Sequence, residues 1–270
     1  MNETTGTRII GRRAVLMIGM WSARLYFVLT IAYAAAVVAA VVAAGAAGYG
    51  SLTSPYWAMA EIIIVVGAVN VVMLMAAIHD FAPLRSKIFT RMAFGWTLVT
   101  AALTITVHFV ELTVVRRVDA HAIPGFPRLF DFQWPSLLVA VELLAWHLFF
   151  GLALLFAAFA FSSRGTAAIV RIGMTISGAL CVAGLLGPAL GDLNWRYLGV
   201  FGYGVVFPLV CLIIGREFKR AASSLDQDRG DPPPAAVTTR DQERQNVHLT
   251  VPALRQAGQL TGRRSGLPAA

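Results

Sequence analysis

Six long apolar stretches, separated by short polar segments, run along the first 220 residues of the chain. A helix needs roughly 20 apolar residues to cross about 30 Å of hydrocarbon. The stretches are continuously apolar, whereas the strands of a membrane β-barrel alternate apolar and polar residues. The pattern therefore predicts an all-α, polytopic transmembrane helical bundle. Its six spans are Leu25 to Ala44, Trp57 to Ile78, Met92 to Val115, Ser136 to Phe161, Ala167 to Leu190 and Tyr197 to Ile214.

Composition agrees with a lipid environment, because 57% of the residues are hydrophobic and only 13% are charged, against roughly 25% charged in soluble domains. The two ends of the chain differ in composition from the membrane domain. Residues 1–24 are basic and predict a cytoplasmic or interfacial segment that leads into the membrane domain at residues 25–220. From Ala221 to the end, Ser, Asp, Gln, Arg and Pro dominate, which predicts a disordered cytoplasmic tail over residues 221–270.

The distribution of Lys and Arg predicts the orientation, since cytoplasmic flanks carry the excess of these residues. Twelve lie before span one, between spans two and three, between four and five, and just after six, whereas four lie on the opposite side. Both termini are therefore expected inside, in the cytoplasmic membrane of a bacterium. The net charge of +8 is a topology signal with some attraction to anionic lipid, and does not indicate nucleic-acid binding.

Polar residues on span three form the clearest candidate for a site. Spacings of three and four residues place Thr97, Thr100, Thr104, His108 and Glu111 on one helical face, which must look into the bundle. One interpretation is structural: the threonines bond to their own helix, and His108 and Glu111 satisfy each other or a neighbour. The other makes His108 and Glu111 a pair that exchanges protons or binds a cation.

Two further carboxyl groups are expected at a similar depth. Glu61 and Glu142 each lie roughly 10 Å, at 1.5 Å per residue, from the outer end of their helices. The candidate polar site is therefore His108, Glu111, Glu61 and Glu142, lining one cavity that opens outward. Helix rotation is not encoded in this spacing, and in a regular α-helix Glu142 and His147 point about 140° apart.

The outer segment between residues 116 and 135 carries Arg116, Arg117 and Arg128 where basic residues are disfavoured. These arginines either pair with carboxylates or bind an anionic head group. The aromatic residues of the segment either float at the membrane interface or form a lid over the site. The aromatic set is Phe126, Phe130, Phe132 and Trp134.

The remaining signals favour structure. Cys181 and Cys211 lie inside spans without the spacing of metal ligands, and His79, His108 and His147 are expected at different depths, which argues against haem. No cofactor and no metal site is therefore expected, and no common catalytic motif is present. Small residues in spans five and six are expected to mark close helix contacts. They include Gly173, Ser177, Cys181, Gly199, Gly202 and Gly204.

Three segments resemble those of small bacterial multi-span membrane proteins that are usually left uncharacterised. They are Phe132 to Ser136, Glu142 to Trp146 and Gly184 to Pro188. The resemblance covers roughly residues 20 to 220. It implies a six-helix membrane fold and no particular activity.

Three functions remain open from the sequence. The first is a transporter or transport accessory that uses the buried carboxyls and histidine for a proton or small cation. The second is a membrane enzyme acting on a lipid or isoprenoid, with Glu61, Glu111 or Glu142 as general acid or base. The third is a non-catalytic assembly protein that binds a membrane partner or forms an oligomer. The expected surroundings in all three are the lipid bilayer.

Overall fold

The computed structural model describes the backbone of residues 3–44, 54–117, 124–130 and 134–230, and most side chains between 11 and 227 in these ranges. Throughout this part of the chain the regular structure is helical, with no strand. The chain divides into two compact units, Met1–Leu225 and Asp226–Ala270. The candidate site residues all belong to the first unit.

Six of the described helices are long and apolar enough to cross a membrane, which confirms the predicted helical bundle. They are called spans 1 to 6 below. Their bounds are Gly11–Ala44, Pro55–Phe81, Leu84–Val115, Leu137–Ala160, Gly165–Leu190 and Leu193–Gln227. A short helix, Phe126–Phe130, lies between spans 3 and 4.

Several spans change helical type along their length. Span 3 is α-helical over Lys87–Val110 and π-helical over Glu111–Val115. Span 4 has α-helices at Leu137–Leu143 and Phe150–Ala157 around a π-helical turn at Leu144–Phe149. Span 5 is α-helical over Gly165–Ala183 and Leu186–Leu190. Span 6 has α-helices at Arg196–Phe201 and Phe207–Gly230 around a π-helical turn at Gly202–Val206.

Both ends of the bundle extend further than the sequence predicts. The first helix begins at Glu3 and continues without a break to Ala44. The last helix continues to Gly230, so residues 221–230, predicted as the start of a disordered tail, are helical. Ala222 is buried and Leu225 packs against the core, which explains the extension. Residues 231–270 lie outside the described part of the chain.

Span 2 shows how the bundle separates lipid-facing from buried residues. Apolar side chains spaced three and four residues apart form a stripe that is about half exposed, namely Met59, Ile62, Val66, Val69 and Met73. The opposite face is buried and carries Glu61 together with Ala68, Leu74 and Ile78. A stripe of large apolar side chains exposed in this way suits contact with lipid tails.

Aromatic rings join spans 1, 4 and 6 in the core. The ring of Phe150 on span 4 contacts Phe207 on span 6 at 5.3 Å between centroids, and Phe207 contacts Tyr26 on span 1 at 4.9 Å. Both contacts are edge-to-face, the arrangement that the charge distribution of aromatic rings favours. Span 6 therefore closes the bundle against span 1.

Small residues bring spans 4, 5 and 6 into close contact, as the sequence predicts. A methyl group built on Gly178 would lie 2.7 Å from the backbone oxygen of Gly151, and one on Gly202 equally close to the oxygen of Ser177. The hydroxyl of Ser177 donates a 2.8 Å hydrogen bond to the oxygen of Gly202. Gly204 differs from the expectation, because a methyl group there would meet only Cγ1 of Val200, on its own span, at 3.9 Å.

Spans 2, 4 and 6 begin with side-chain caps at the end of the bundle predicted to face outward. Ser54, Ser136 and Asp192 accept hydrogen bonds from the backbone N–H groups of Tyr56, Val139 and Asn194. Such caps satisfy donors that have no partner within the helix. They fix where each of these helices starts, and therefore the depth of the polar residues that follow.

The predicted orientation can be tested with single cysteines at exposed positions. Leu84 is 90% exposed, and Ser223 and Asn194 are also exposed. With both termini inside, Asn194→Cys should react with a membrane-impermeant maleimide on intact cells, whereas Leu84→Cys and Ser223→Cys should react only after permeabilisation. The wild-type chain is a suitable control because Cys181 and Cys211 are both buried. External labelling of Leu84→Cys would reverse the orientation.

Candidate functional site

The polar face of span 3 points into the bundle, as predicted. All five of its predicted members are at most 2% exposed: Thr97, Thr100, Thr104, His108 and Glu111. The hydroxyl of Thr97 donates to the oxygen of Ala93 at 2.8 Å, within its own helix. That of Thr100 lies 3.3 Å from the oxygen of Ala145 on span 4. The hydroxyl of Thr104 is buried and has no hydrogen-bond partner among the described residues.

His108 lies between two carboxyl groups from other spans. Its Nδ1 atom contacts Oε2 of Glu61 on span 2, and its Nε2 atom lies 3.1 Å from Oε1 of Glu142 on span 4. The ring donates a hydrogen bond to both carboxylates only when both nitrogens carry protons. One imidazole therefore connects three spans.

Glu111 completes the group, which we call the carboxylate centre and define as Glu61, His108, Glu111 and Glu142. One carboxyl oxygen of Glu61, one ring nitrogen of His108 and one carboxyl oxygen of Glu111 all lie within 4.8 Å of one another. Glu111 is 2% exposed and faces the carboxyl of Glu61, and neither of its oxygens accepts a hydrogen bond from an N–H group or a hydroxyl in the described part of the chain. Glu111 is therefore not held by Arg116 or Arg117, which was one structural interpretation of the sequence.

Within the described residues, His108 is the basic side chain that pairs with the carboxyls of this centre, and no ion pair joins a lysine or arginine to them. If all three were ionised and His108 were doubly protonated, three negative charges against one positive charge would leave two uncompensated. Such charges cost much free energy in a low-dielectric interior. Protons or a cation must therefore reside in the centre.

Each of the three π-helical turns that the structure describes contributes a residue at or near the centre. The turn in span 3 begins at Glu111, the turn in span 4 contains His147, and the turn in span 6 contains Tyr203. A π turn adds a residue to the helical repeat and is frequent at functional sites. The ring centroids of His147 and Tyr203 lie 5.8 Å apart, and His147 follows Glu142 by five residues on span 4.

His147 is held between two glycines and does not share the contacts of His108. Its Nε2–H donates to the backbone oxygen of Arg196 at 3.1 Å, and its buried Nδ1 has no partner among the described residues. Methyl groups built on Gly184 and Gly199 would lie 2.1 and 2.3 Å from Cδ2 of His147. Spans 5 and 6 therefore leave room for the imidazole only because glycine stands at both positions. His79 lies elsewhere and contacts Thr90 at 2.9 Å.

An aromatic residue covers the end of spans 3 and 4 beside the centre. Phe126, on the short helix between them, is 1% exposed and packs with Val107, Val115 and Leu138. Phe130 is half-buried against the same cluster, whereas Trp134 is exposed. Phe132 lies outside the described residues.

The arginines of this segment do not converge on the carboxylate centre. The guanidinium group of Arg116 donates to the backbone oxygen of Ser54 at 3.3 Å, at the start of span 2. Arg117 and Arg128 are exposed. Their proposed contact with an anionic head group stays a prediction.

Comparison of the chain with protein-family models, curated proteins and solved structures gives no match. The resemblance to small bacterial multi-span proteins therefore stays a prediction. The function is therefore inferred from the chemistry of the carboxylate centre.

The glycine contacts of His147 generate a testable prediction. Gly199→Ala should lower stability by about 1–3 kcal/mol, the usual cost of overpacking a core, because the new methyl group would collide with the imidazole. Gly204→Ala is a matched control on the same span, where the added methyl group would meet only Cγ1 of Val200 at 3.9 Å. Thermal unfolding of the two purified variants in detergent would check this. Equal melting temperatures would contradict the described fit of His147.

Proposed function

We propose that the chain is a multi-pass membrane transport protein, or the proton- or cation-handling part of one, and that Glu61, His108, Glu111 and Glu142 are its exchange site. The observation that carries this proposal is the uncompensated charge of the carboxylate centre. Among the described residues, Glu111 is buried beside Glu61 and His108, and neither of its oxygens accepts from an N–H group or a hydroxyl. Burying an ionisable side chain at this depth costs free energy. Intramembrane carboxyls of this kind commonly serve ion or proton movement.

His108 supports the proposal because it joins two carboxyls through opposite ring nitrogens. An imidazole can accept a proton at one nitrogen and release one from the other, and its ordinary titration range is near neutrality. A proton that arrives at Glu142 can therefore pass through the ring to Glu61. Glu142 is the natural point of entry, since its side chain is 15% exposed and that of Glu61 only 3%.

The hydroxyl groups of span 3 extend this polar face toward the opposite end of the bundle. Thr104 is one turn from His108 and has an unpartnered hydroxyl, and Thr100 follows one further turn away. Thr90, near the other end of the same span, is also buried and contacts His79. We propose that these hydroxyls, with water between them, form the route by which the proton or ion leaves the centre.

The proposal includes the orientation of the chain in the membrane. The distribution of Lys and Arg, twelve against four, supports cytoplasmic termini. The bacterial cytoplasmic membrane is the location that the resemblance to small bacterial multi-span proteins implies. The caps of spans 2, 4 and 6 then lie outside, and the carboxylate centre lies in the outer half of the bilayer. Glu61, six residues after Pro55, is about 9 Å below that surface at 1.5 Å per residue.

A lipid-modifying enzyme is the second candidate. It is favoured by the short helix Phe126–Phe130, which places exposed Arg128 near a buried aromatic cover at the end of spans 3 and 4. In that case Arg128 would bind a head group and a carboxyl of the centre would act as acid or base. A lipid product that copurifies with the wild type and is lost in Glu142→Gln would favour this candidate.

Proton movement through reconstituted protein tests the transport proposal. Liposomes with the wild-type chain should take up protons under a potassium diffusion potential, as reported by an internal pH dye. Glu111→Gln should reduce the rate at least tenfold because it removes an exchangeable proton. Asp80→Asn is the matched control, since Asp80 lies exposed at the far end of span 2, and it should conduct as the wild type does. Wild-type rates equal to those of protein-free liposomes would refute proton transport, and absence of cation uptake as well would refute the proposal.

Stability of two Gln variants distinguishes an exchange site from a structural charge pair. Glu111→Gln should leave the melting temperature unchanged or raise it, because the carboxyl accepts from no N–H group or hydroxyl among the described residues and the amide adds a donor. Glu61→Gln should destabilise the protein by about 1.5–3 kcal/mol because it weakens a charge-assisted hydrogen bond to His108. Calorimetry in detergent would measure both. A large loss of stability in Glu111→Gln alone would identify Glu111 as a structural residue.

A further inference from the structure

We propose that Glu61, His108 and Glu111 form a binding site for a divalent first-row transition-metal ion, with Glu142 as the residue that orients His108. This inference deepens the proposed function, on which it rests, by naming the cation. It starts from donor atoms of three buried side chains, two carboxyl oxygens and one imidazole nitrogen, that all lie within 4.8 Å of one another. Ligands of one ion, each about 2.0–2.2 Å from it, are about 3–4 Å apart, so small side-chain rotations suffice.

The surroundings of the Glu111 carboxyl indicate a bound ligand and not only a cluster of polar residues. The residue is 2% exposed, and its carboxyl faces Glu61 and His108, while neither oxygen accepts from an N–H group or a hydroxyl among the described residues. An acidic side chain that merely served packing would be expected to find a donor at this depth. A divalent ion satisfies these oxygens and balances most of the excess negative charge.

His108 has the arrangement that metal-bound histidines have. Its Nε2 lies 3.1 Å from Oε1 of Glu142, and its Nδ1 contacts Glu61. With an ion bound, Nε2–H would donate to Glu142 and the Nδ1 lone pair would be free to ligate. A carboxylate bonded to the far nitrogen of a ligating imidazole orients the ring and increases its basicity. The ion would occupy the position of the proton between Nδ1 and Glu61. Binding therefore releases protons and weakens as the pH falls.

The donor set determines which ions fit. Two carboxylates and one imidazole suit Mn²⁺, Fe²⁺, Co²⁺ and Zn²⁺, whereas Cu⁺ prefers sulfur ligands and Mg²⁺ and Ca²⁺ prefer oxygen alone. The thiols of Cys181 and Cys211 are buried on spans 5 and 6 and are not members of this set. Sequence spacing places these residues at a similar depth but shows no metal-ligand motif, because Glu61 and His108 are 47 residues apart.

Cobalt binding to the purified full-length chain in detergent tests the site. After treatment with a chelator, the wild type should bind one Co²⁺ per chain, with visible absorption of a nitrogen- and oxygen-ligated ion and with release of protons into weak buffer. Zn²⁺ and Mn²⁺ should compete. Glu111→Gln should abolish stoichiometric binding while it keeps the fold, as its melting temperature will show. Glu142→Gln should keep the stoichiometry but weaken affinity by about 10- to 100-fold, the usual effect of losing an outer-shell partner.

Two control variants define the background. His79→Gln removes a histidine that contacts Thr90, and Glu217→Gln removes a carboxyl that pairs with Arg220 at the other end of the bundle. Both should bind Co²⁺ as the wild type does. Binding in Glu111→Gln equal to that of these controls would overturn the proposed site, and so would absence of Co²⁺ binding by the wild type.

The same preparation separates this inference from the proposed function. Proton uptake by liposomes without any binding of Co²⁺, Zn²⁺ or Mn²⁺ would refute the metal site and leave proton transport standing. Stoichiometric metal binding with neither proton nor metal flux would support the site and refute transport. Metal-dependent proton release together with Mn²⁺ uptake, measured by an internal metal-sensitive dye, would support both.

Discussion

The balance of charge among three buried carboxyls is the constraint on which the arrangement of spans 2, 3 and 4 depends. Glu61, Glu111 and Glu142 come from three different helices and meet around His108. In water such groups would repel each other weakly, but inside a bundle surrounded by lipid the interaction is strong and hydration is lost. The helices can approach each other only if two conditions hold. The imidazole must connect the carboxyls, and protons or a cation must neutralise the remaining negative charge. The composition of the centre is thus a condition for the local packing.

The π-helical turns show how the backbone meets this condition. In a regular α-helix, Glu142 and His147 would project in widely different directions, since five residues advance the helix by about 500°. The turn at Leu144–Phe149 widens the helix between them. The ring of His147 then lies 5.8 Å from that of Tyr203, whose own π turn is on span 6. Each π turn sacrifices regular hydrogen bonding. Their placement beside polar residues in three separate spans indicates that side-chain convergence there outweighs helix regularity.

The sequence predicts those features that depend on local pattern. The six spans follow from continuous hydrophobicity, and the burial of the polar face of span 3 follows from its periodicity. The similar depth of Glu61 and Glu142 follows from their distance to the helix starts at Ser54 and Ser136.

Features that depend on packing between distant residues are not predictable in this way. Local pattern gives no reason for His108 to prefer Glu61 and Glu142 over Glu111, which is three residues away on its own helix. The rotation of span 2 and the π turns decide this choice. The last helix continues to Gly230 although its final turns are polar, because Ala222 and Leu225 contact the core. A composition-based boundary cannot detect such contacts.

Stability and chemistry are located in different parts of this bundle. The aromatic contacts among Tyr26, Phe150 and Phe207 join spans 1, 4 and 6, and glycine contacts such as Gly151 with Gly178 bring spans 4 and 5 together. None of these contacts includes a member of the carboxylate centre. Stability alone gives no reason for a buried carboxyl at Glu111 that accepts from no N–H group or hydroxyl among the described residues, because an apolar residue of similar size is usually neutral or better. A well-packed core elsewhere lets the fold tolerate that cost. The unsatisfied carboxyl of Glu111 is therefore the strongest physical reason to look for its ligand.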